Sequence, residues 1–377
     1  MSDADLKPST STLGKEEDSI AVLGAAESSA RVNIALVKYW GKSEAEANTP
    51  AVGSLSLTLD EWGSETRLWW VKRSERDQNS SGHHVTINQE TRPDAKADRL
   101  LNLALTLAAG RGHPWAHPDQ VRAVVQSHNS VPTASGLASS ASGMAALGIA
   151  AWTALGYGAD LERLQRGQID SGVAELIDLV RVGSGSAVRS LLGGLVRLER
   201  DGRTMRALSA PNEWSLAIVV AVVDPGPKSV SSREGMERTR VTSPYYQAWV
   251  NSHAADLDAG EQAVAQRDLM KLGAVMERST FKMHASMWAA DPPLRYIKGA
   301  TLEALDVVER LRGQGVNAWA TMDAGPHVKV LCDQRDASQV ARALSEIPKL
   351  SEVVIRSPGR AAEASVIRHA LPPMNFD

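Results

Sequence analysis

Asn129-Ser-Val-Pro-Thr-Ala-Ser-Gly-Leu-Ala-Ser-Ser-Ala-Ser-Gly-Met144 is a run of small and hydroxyl-bearing residues between two segments of opposite character. Ahead of it, Val121 to Gln126 is β-branched and half apolar, as a strand is. Behind it, Leu137 to Trp152 is rich in Ala, Leu, Met and Ile, as a helix is. The loop between them aims a helix N-terminus. The N–H groups of a first helical turn have no partner within the helix, and with the helix dipole they make an anion site. The run therefore reads as a phosphate cradle. Gly136 permits close backbone approach, and Ser139 and Ser140 offer hydroxyl donors or a magnesium ligand. The same composition also suits a helix that simply packs tightly, and composition alone leaves both readings open.

Other nucleotide loops are excluded. Gly41-Lys42-Ser43 lacks the upstream glycine of a Walker A loop, since position 36 is Leu, and no G-x-G-x-x-G occurs.

A chain of 377 residues is long enough for two domains or one large one. Hydrophobic residues make up 43% and charged residues 23%, the balance of a soluble globular enzyme rather than a disordered or fibrous chain. Lys and Arg number 41 against 44 Asp and Glu, a net charge of −3, which argues against a general nucleic-acid binder. The single cysteine, Cys332, rules out an internal disulfide framework and points to a reducing compartment; in its apolar run it reads as a buried, inert thiol. His83-His84 has no zinc-ligand pattern around it. The longest apolar run, Leu216 to Val223, is too short to span a bilayer, and nothing at the start reads as a signal peptide. No membrane partner and a cytoplasmic location are expected. Residues 1 to 25 read as a polar, disordered tail.

Strands are expected at Glu27 to Lys38, Ser54 to Leu59, Glu65 to Val71 and Val85 to Ile87, with Arg73 to His84 a loop and Ala95 to Gly110 a Leu-rich buried helix. Asp160 to Leu179 is helical, and Gly183-Ser-Gly-Ser-Ala-Val-Arg-Ser190 opens a further helix-like turn. Leu195 to Leu198 and Ser215 to Val223 return to strand. The polar stretch between them marks a domain boundary, giving domains of 26 to 205 and 206 to 377. In the second domain, Leu302, Leu305, Val308 and Leu311 share one face of an amphipathic helix. Strand Val316 to Met322, the turn Asp323-Ala-Gly-Pro326, strand Val328 to Cys332, helix Ala337 to Leu344 and strand Val353 to Ile355 follow. That order predicts an antiparallel sheet with helices on one side, and an α+β chain.

Pro132-Thr133-Ala134-Ser135-Gly136-Leu137-Ala138-Ser139-Ser140 resembles the phosphate loop of the GHMP kinase superfamily. Asn33-Ile-Ala-Leu-Val-Lys-Tyr-Trp-Gly-Lys42, Gly183 to Ser190 and Met322 to Pro326 resemble, in the same order, motifs of its diphosphomevalonate decarboxylase family. The resemblance implies an S5-like N-terminal domain and a ferredoxin-like C-terminal one, ATP and magnesium as cofactors, a homodimer, and decarboxylation of mevalonate 5-diphosphate to isopentenyl diphosphate after phosphorylation of its 3-hydroxyl.

It also implies roles. Asp323 faces the tertiary hydroxyl and acts on it either as a true base or by orientation and charge, then stabilises the carbocation-like centre left when phosphate departs. Arg189 binds the substrate carboxylate, for which its planar fork is suited, and Ser184 and Ser186 hydrogen-bond the same molecule. Lys38, Tyr39 and Lys42 meet the diphosphate and the transferring phosphoryl group, together with Trp40 and Gly41. Asn33 lies nearer the catalytic carboxylate. Gly185, Ala187 and Val188 complete the glycine-serine turn, Ser232, Arg233 and Met236 close over the substrate, and Arg99 matches by its place at the start of the Leu-rich helix. A relative acting on mevalonate 5-phosphate, a kinase that stops at phosphorylation, and a silent scaffold are the alternatives. The joint presence of Lys38, Arg189 and Asp323 opposes the last. The chain departs from the pattern in a longer Asp160 to Arg181 segment, Val188 in place of Cys, and His327 in place of Asn, which reads as a solvent-facing turn histidine.

Overall fold

The computed structural model describes residues 21–44, 47–73, 82–91, 93–131, 139–223, 226, 229–368 and 371. The stretch expected to form the phosphate loop, Pro132 to Ala138, and the first twenty residues lie outside the described residues.

The first half runs β1 (Val22–Val37), the short pair β2 (Lys42–Glu44) and β3 (Thr49–Pro50), β4 (Ser54–Lys72), β5 (His84–Ile87), β6 (Glu90–Thr91), α1 (Ala95–Gly110), β7 (Val121–Asn129), α2 (Ser139–Ala154), α3 (Ala159–Gln165), α4 (Ser171–Gly183), a 3₁₀ turn (Ala187–Leu191), β8 (Leu195–Leu198) and β9 (Met205–Ser209). The second runs β10 (Leu216–Val222), α5 (Ser232–Thr242), α6 (Tyr246–Ala265), α7 (Leu269–Trp288), α8 (Gly299–Gly313), β11 (Trp319–Thr321), β12 (Val328–Asp333), α9 (Ala337–Ser345), β13 (Glu352–Arg356) and β14 (Glu363–Val366). β1 opens at Val22, inside the stretch read as tail.

Among the described residues the larger sheet follows the order β14-β1-β4-β7-β5-β6, with β8 and β9 added on β4. The two expected strands at 54–59 and 65–71 are one strand carried through a bulge: β1 pairs Asn33 with Thr58 and Arg31 with Gly63, and the residues between, with Glu61 at φ +56°, are left out of the ladder. Leu68 and Trp70 alternate onto one face, against Ala104, Leu105, Ala150 and Ala151 of α1 and α2, and the Trp70 indole N–H donates to the Ala151 carbonyl at 3.2 Å. Each such fully buried large side chain contributes about 1.5–3 kcal/mol by leaving water. β9 pairs with β8 in this sheet, and β10 belongs to the other.

The second sheet is antiparallel, ordered β11-β12-β10-β13. Helices cover both its faces, not one. Every residue of β10 is buried: Leu216, Ile218 and Val220 meet Leu272 and Met276 of α7, while Ala217, Val219 and Ala221 meet Ala304, Val308 and Leu344 of α8 and α9. A strand apolar in both phases of its alternation requires cover on both sides. The face α8 buries is Ala300, Ala304, Val307, Val308 and Leu311; Leu302, expected within it, is 51% exposed, since the sheet is met through the smaller residues.

The end of β1 leaves the first core and enters the second, where Ile34, Leu36 and Val37 join Ile218 of β10 and Leu272 and Val275 of α7. It thereby delivers Lys38 to the seam between the sheets. No helix of the described residues is long and apolar enough to cross a membrane.

Candidate active site

The turn after β11 carries the acid. Gly325 N–H donates to the Asp323 carbonyl at 2.7 Å, and the Thr301 hydroxyl at the start of α8 donates to the Pro326 carbonyl at 2.7 Å, so the turn is tied at both ends. His327 is buried, its Nδ1 accepting the Val223 N–H at 3.1 Å; it is a brace between the turn and the end of β10, not the solvent-facing residue expected.

Two ammonium groups grip Asp323. Lys38 Nζ donates to Oδ1 at 2.8 Å and Lys329 Nζ to Oδ2 at 2.9 Å. Both lysine side chains are 1% exposed, whereas Asp323, though ringed by protein, keeps 26% of its side chain open. Burial alone would raise its pKa, but Lys329 and Lys38 together hold the carboxyl far below the usual carboxylate range. Lys38 answers in the opposite direction. Burial, with repulsion from Lys329 and Arg189, brings its ammonium down to about 8 against the pull of Asp323. Its backbone is fixed as well, the Lys38 N–H donating to the Ser279 hydroxyl of α7 at 3.0 Å.

Arg189 sits on the 3₁₀ turn, 3% exposed. Its Nε and Nη2 both donate to Asn33 Oδ1, at 3.0 and 2.9 Å, and Nη1 donates to the Ser54 hydroxyl at 2.6 Å. Asn33 in turn donates to the Ser190 hydroxyl at 2.8 Å and the Ser186 carbonyl at 3.2 Å. Burial lowers the guanidinium to about 10, which leaves it charged at neutral pH. Arg189 also acts electrostatically on Lys38 and feels Asp323, so the fork and the acid belong to one field.

A second hub is Asn48, 1% exposed at the turn into β3. Lys42 Nζ and Arg233 both donate to its Oδ1, Tyr39 donates its hydroxyl proton to the Asn48 carbonyl at 3.3 Å, and the Asn48 amide donates to the Val182 and Arg181 carbonyls at 2.8 and 3.0 Å. Burial, then repulsion from Arg233, Lys96 and Arg99, lowers Lys42 to about 8. Arg99 is half-buried and pinned to the Val182 carbonyl at 2.6 Å, so it is no free helix charge. Arg181 reaches the Ala47 carbonyl and the Thr49 hydroxyl, each at 2.7 Å; the long segment through α3 and α4 thus supplies part of the site floor.

Close packing sets the loops. A Cβ on Gly41, which sits at φ +94°, would lie 2.1 Å from the Tyr246 hydroxyl oxygen. One on Gly185 would lie 2.2 Å from that of Tyr39. The Ser184 and Ser186 hydroxyls are 3.2 Å apart at the mouth of the turn.

Some of the expected site residues turn their side chains into the core. Ala187 and Val188 have their side chains in the first core, fully buried, which leaves only their backbone for a ligand. Trp40 is 2% exposed among Trp249, Met283 and Tyr296, a packing residue beneath the loop rather than a contact surface, with Met236 against the same cluster. Ser232 opens α5, capped by Ser231, and Arg233 extends from there to Asn48.

Sequence reading missed Lys329, Asn48, Arg181 and Ser279. Lys329 had a signal: a lysine in the middle of the apolar strand run Val328 to Cys332, where a charge is costly without a partner. Cys332 is buried and its thiol pushed up to about 12, as an inert thiol is.

Among the described residues no three His, Cys, Asp or Glu side chains gather as a metal site. Magnesium needs none: it binds through one or two oxygens and substrate phosphates. α2 begins at Ser139 with no acidic residue in its first turn, so nothing in the helix itself neutralises the end that would face phosphate. Lys42 and Arg233 add positive charge to the cleft.

Residues 30–209 match the diphosphomevalonate decarboxylase-like N-terminal domain and residues 218–366 the mevalonate 5-diphosphate decarboxylase C-terminal domain. The chain is 31% identical over 330 residues to the diphosphomevalonate decarboxylase of Candida albicans, covering 85% of this chain and 87% of that one. It superposes on the mevalonate diphosphate decarboxylase of Staphylococcus aureus with a TM-score of 0.78 at 29% identity, over 91% of this chain and 98% of that one. A complex of MDDEF with MVAPP, AMPPCP and magnesium gives 0.76 at 33% identity, over 92% and 99%.

Proposed function

The chain belongs to the diphosphomevalonate decarboxylase family, and from that premise we propose that its cleft decarboxylates mevalonate 5-diphosphate with consumption of ATP, giving isopentenyl diphosphate, ADP, phosphate and carbon dioxide. The observation that carries this reading is the open edge of Asp323, fixed between Lys38 and Lys329 and sharing its field with the Arg189 guanidinium.

Magnesium-bound ATP would supply the phosphoryl group; the N-terminus of α2 would hold its phosphates, and Ser139 or Ser140 in that helix's first turn would offer the metal a hydroxyl. The sequence motif of Pro132 to Ala138 implies that these residues would bind the same phosphates. Asp323 orients the 3-hydroxyl. Gripped by two ammonium groups it is a weak base, so it contributes orientation and charge more than proton affinity. A loose phosphoryl-transfer transition state asks for little else. Three of the five N–H groups of Arg189 are taken by Asn33 and Ser54; one on each terminal nitrogen remains, the number a carboxylate takes. Lys42, Arg233 and Arg99 line the side of the cleft suited to a diphosphate, with Ser184 and Ser186 at its mouth. Once phosphate leaves C3, the electron pair of the C1–C2 bond closes the C2–C3 double bond and carbon dioxide departs. Positive charge that develops at C3 meets the Asp323 carboxylate.

Two domains, residues 26 to 205 and 206 to 377, a homodimer and a cytoplasmic setting are part of the same proposal. Sedimentation of the purified chain tests the dimer. The test of function is incubation with ATP, magnesium and either mevalonate 5-phosphate or its 5-diphosphate, with ADP and carbon dioxide followed separately. Coupled release of both from the diphosphate is expected. ADP without carbon dioxide would make the protein a kinase, and turnover of the monophosphate alone would move the substrate.

A further inference from the structure

α6 runs behind the two loops that enter the site and meets both with side chains from one of its faces. Tyr246, Trp249 and His253, all buried and spaced three and four apart, form that face. Tyr246 sets its hydroxyl against Gly41, leaving no room there for a Cβ, and the Trp249 indole N–H donates to the Trp40 carbonyl at 3.3 Å. His253 takes the other loop. Its Nε2 lies 2.8 Å from the Gly53 carbonyl oxygen, and its ring stands edge-on to Trp249, with centroids 4.8 Å apart.

A carbonyl oxygen only accepts, so the ring carries a proton on Nε2. His253 is 2% exposed and its Nδ1 has no hydrogen-bond partner among the described residues, so Gly53 takes all the hydrogen bonding the ring does. Burial brings the imidazole down to about 4, which leaves it neutral at working pH. Gly53 is the residue ahead of the β4 ladder, whose pairing with β8 begins at Ser54 opposite Leu198. Its backbone is tightly enclosed: a Cβ there would lie 2.5 Å from Leu257 Cδ2 and 2.9 Å from the Leu198 carbonyl oxygen. The Gly53 carbonyl lies in the peptide plane that joins it to Ser54, so holding the oxygen also holds the Ser54 nitrogen and the base of its side chain. Ser54 is fully buried, and its hydroxyl accepts Arg189 Nη1 at 2.6 Å. One peptide plane and one hydroxyl therefore separate the imidazole from the guanidinium.

We propose that His253 is a positioning residue for this reaction: through the Gly53 peptide it aims the Ser54 hydroxyl at Arg189, and so sets the two N–H groups that the guanidinium keeps for the substrate carboxylate. The inference rests on the role given to Arg189 above, and its test separates the two. In the free protein, the NMR signal of the buried Arg189 Nε–H should shift in His253→Leu in the direction it shifts in Ser54→Ala. In His253→Gln, whose amide can donate to the same carbonyl, it should stay near its wild-type position. That arm needs neither substrate nor turnover.

In the assay, His253→Leu should raise KM for mevalonate 5-diphosphate about tenfold, with kcat and KM for ATP little changed, since what is lost is carboxylate binding. His253→Gln should recover most of that affinity. On a Ser54→Ala background the leucine substitution should cost less than about twofold further, because its route to Arg189 is already cut. A histidine that only braces α6 predicts a lower melting temperature with the Arg189 signal and the ester KM unmoved, and that outcome overturns the proposal. So does a full cost repeated on the Ser54→Ala background, or a glutamine variant no better than the leucine one. Should His253→Leu fail to fold, the wild-type ring and the glutamine variant decide the matter: nitrogen shifts that place the imidazole proton on Nδ1 would overturn the role, and a proton on Nε2 with near-wild-type kinetics in His253→Gln supports it. Absence of carbon dioxide from wild type would count against the decarboxylase reading and leave the Arg189 arm standing.

Discussion

Asn33 Oδ1 accepts from both Nε and Nη2 of Arg189, at 3.0 and 2.9 Å, within a pocket where both residues are almost fully buried. The amide does for the guanidinium what a carboxylate could do only by cancelling its charge. Asn33→Ala should therefore cost about 10- to 100-fold in kcat/KM, the equivalent of about 1.5–3 kcal/mol for a hydrogen bond to a charged group. Asn33→Asp, which pairs the fork with a charge, should cost more. Equal rates for the two would mean that Asn33 only fills space.

Arg189→Lys asks whether the fork or the charge matters. A lysine ammonium cannot hold Asn33 and Ser54 and still present two N–H groups to a carboxylate. A loss of at least about 100-fold in kcat/KM is expected. Unchanged kinetics would remove Arg189 from carboxylate binding.

Asp323→Ala removes the acid from between two buried ammonium groups. Turnover should fall by orders of magnitude. The melting temperature should fall as well, since an unpaired buried charge costs about 3–5 kcal/mol. The pH dependence has a definite sign. Because the folded carboxyl is held below its ordinary range, the pair stabilises the fold above about pH 4 and that contribution drains as pH falls through and below it. Asp323→Asn should flatten the acid side of the stability curve; a curve parallel to wild type would show that the pair is not the origin of acid sensitivity.

Much of this is legible in the sequence alone. The motifs that hold Lys38, Arg189 and Asp323 are local, each a strand end or turn with its own residue signature, and the helix at 95–110 follows from its Leu- and Ala-rich composition. What stayed hidden is what distance in sequence hides. Lys329 sits in a strand whose apolar neighbours dominate the pattern. Asn48 is one polar residue in a polar turn, and its role appears only when α4 brings Val182 beneath it. The exposed Leu302 shows the same limit from the other side: a helix has several apolar stripes, and only the partner sheet decides which is buried.

Gly185→Ala tests whether the glycine-serine turn is held as tightly as it is drawn. The added methyl would meet the Tyr39 hydroxyl at 2.2 Å and the Asn48 carbonyl oxygen at 2.9 Å, and the turn cannot slide away because Ala187 and Val188 are locked in the core. KM for the mevalonate ester should rise about tenfold or more, with ATP affinity less affected. Gly110→Ala is the matched control, with nothing within 4 Å of its new Cβ. It should leave activity untouched and stabilise slightly. Similar kinetics for both variants would show that the turn is slack.

Lys38 and Lys329 hold the two oxygens of one carboxylate, and pH separates Lys38 from the other lysines of the cleft. The Lys38 ammonium stands at about 8 in the free protein, lowered first by burial and then by Lys329, so kcat/KM should fall above that pH as the ammonium loses its proton. Removing the neighbouring charge relieves the repulsion while Asp323 still attracts. Lys329→Gln should therefore shift the basic limb to higher pH, even as the looser carboxylate lowers the rate. Lys42 also stands at about 8, so the same profile must be recorded on Lys42→Arg, whose guanidinium does not titrate there. A limb that survives Lys42→Arg and moves up in Lys329→Gln belongs to Lys38. One that vanishes in Lys42→Arg and ignores position 329 belongs to the diphosphate side of the cleft, and Lys38 then stays charged throughout the working range.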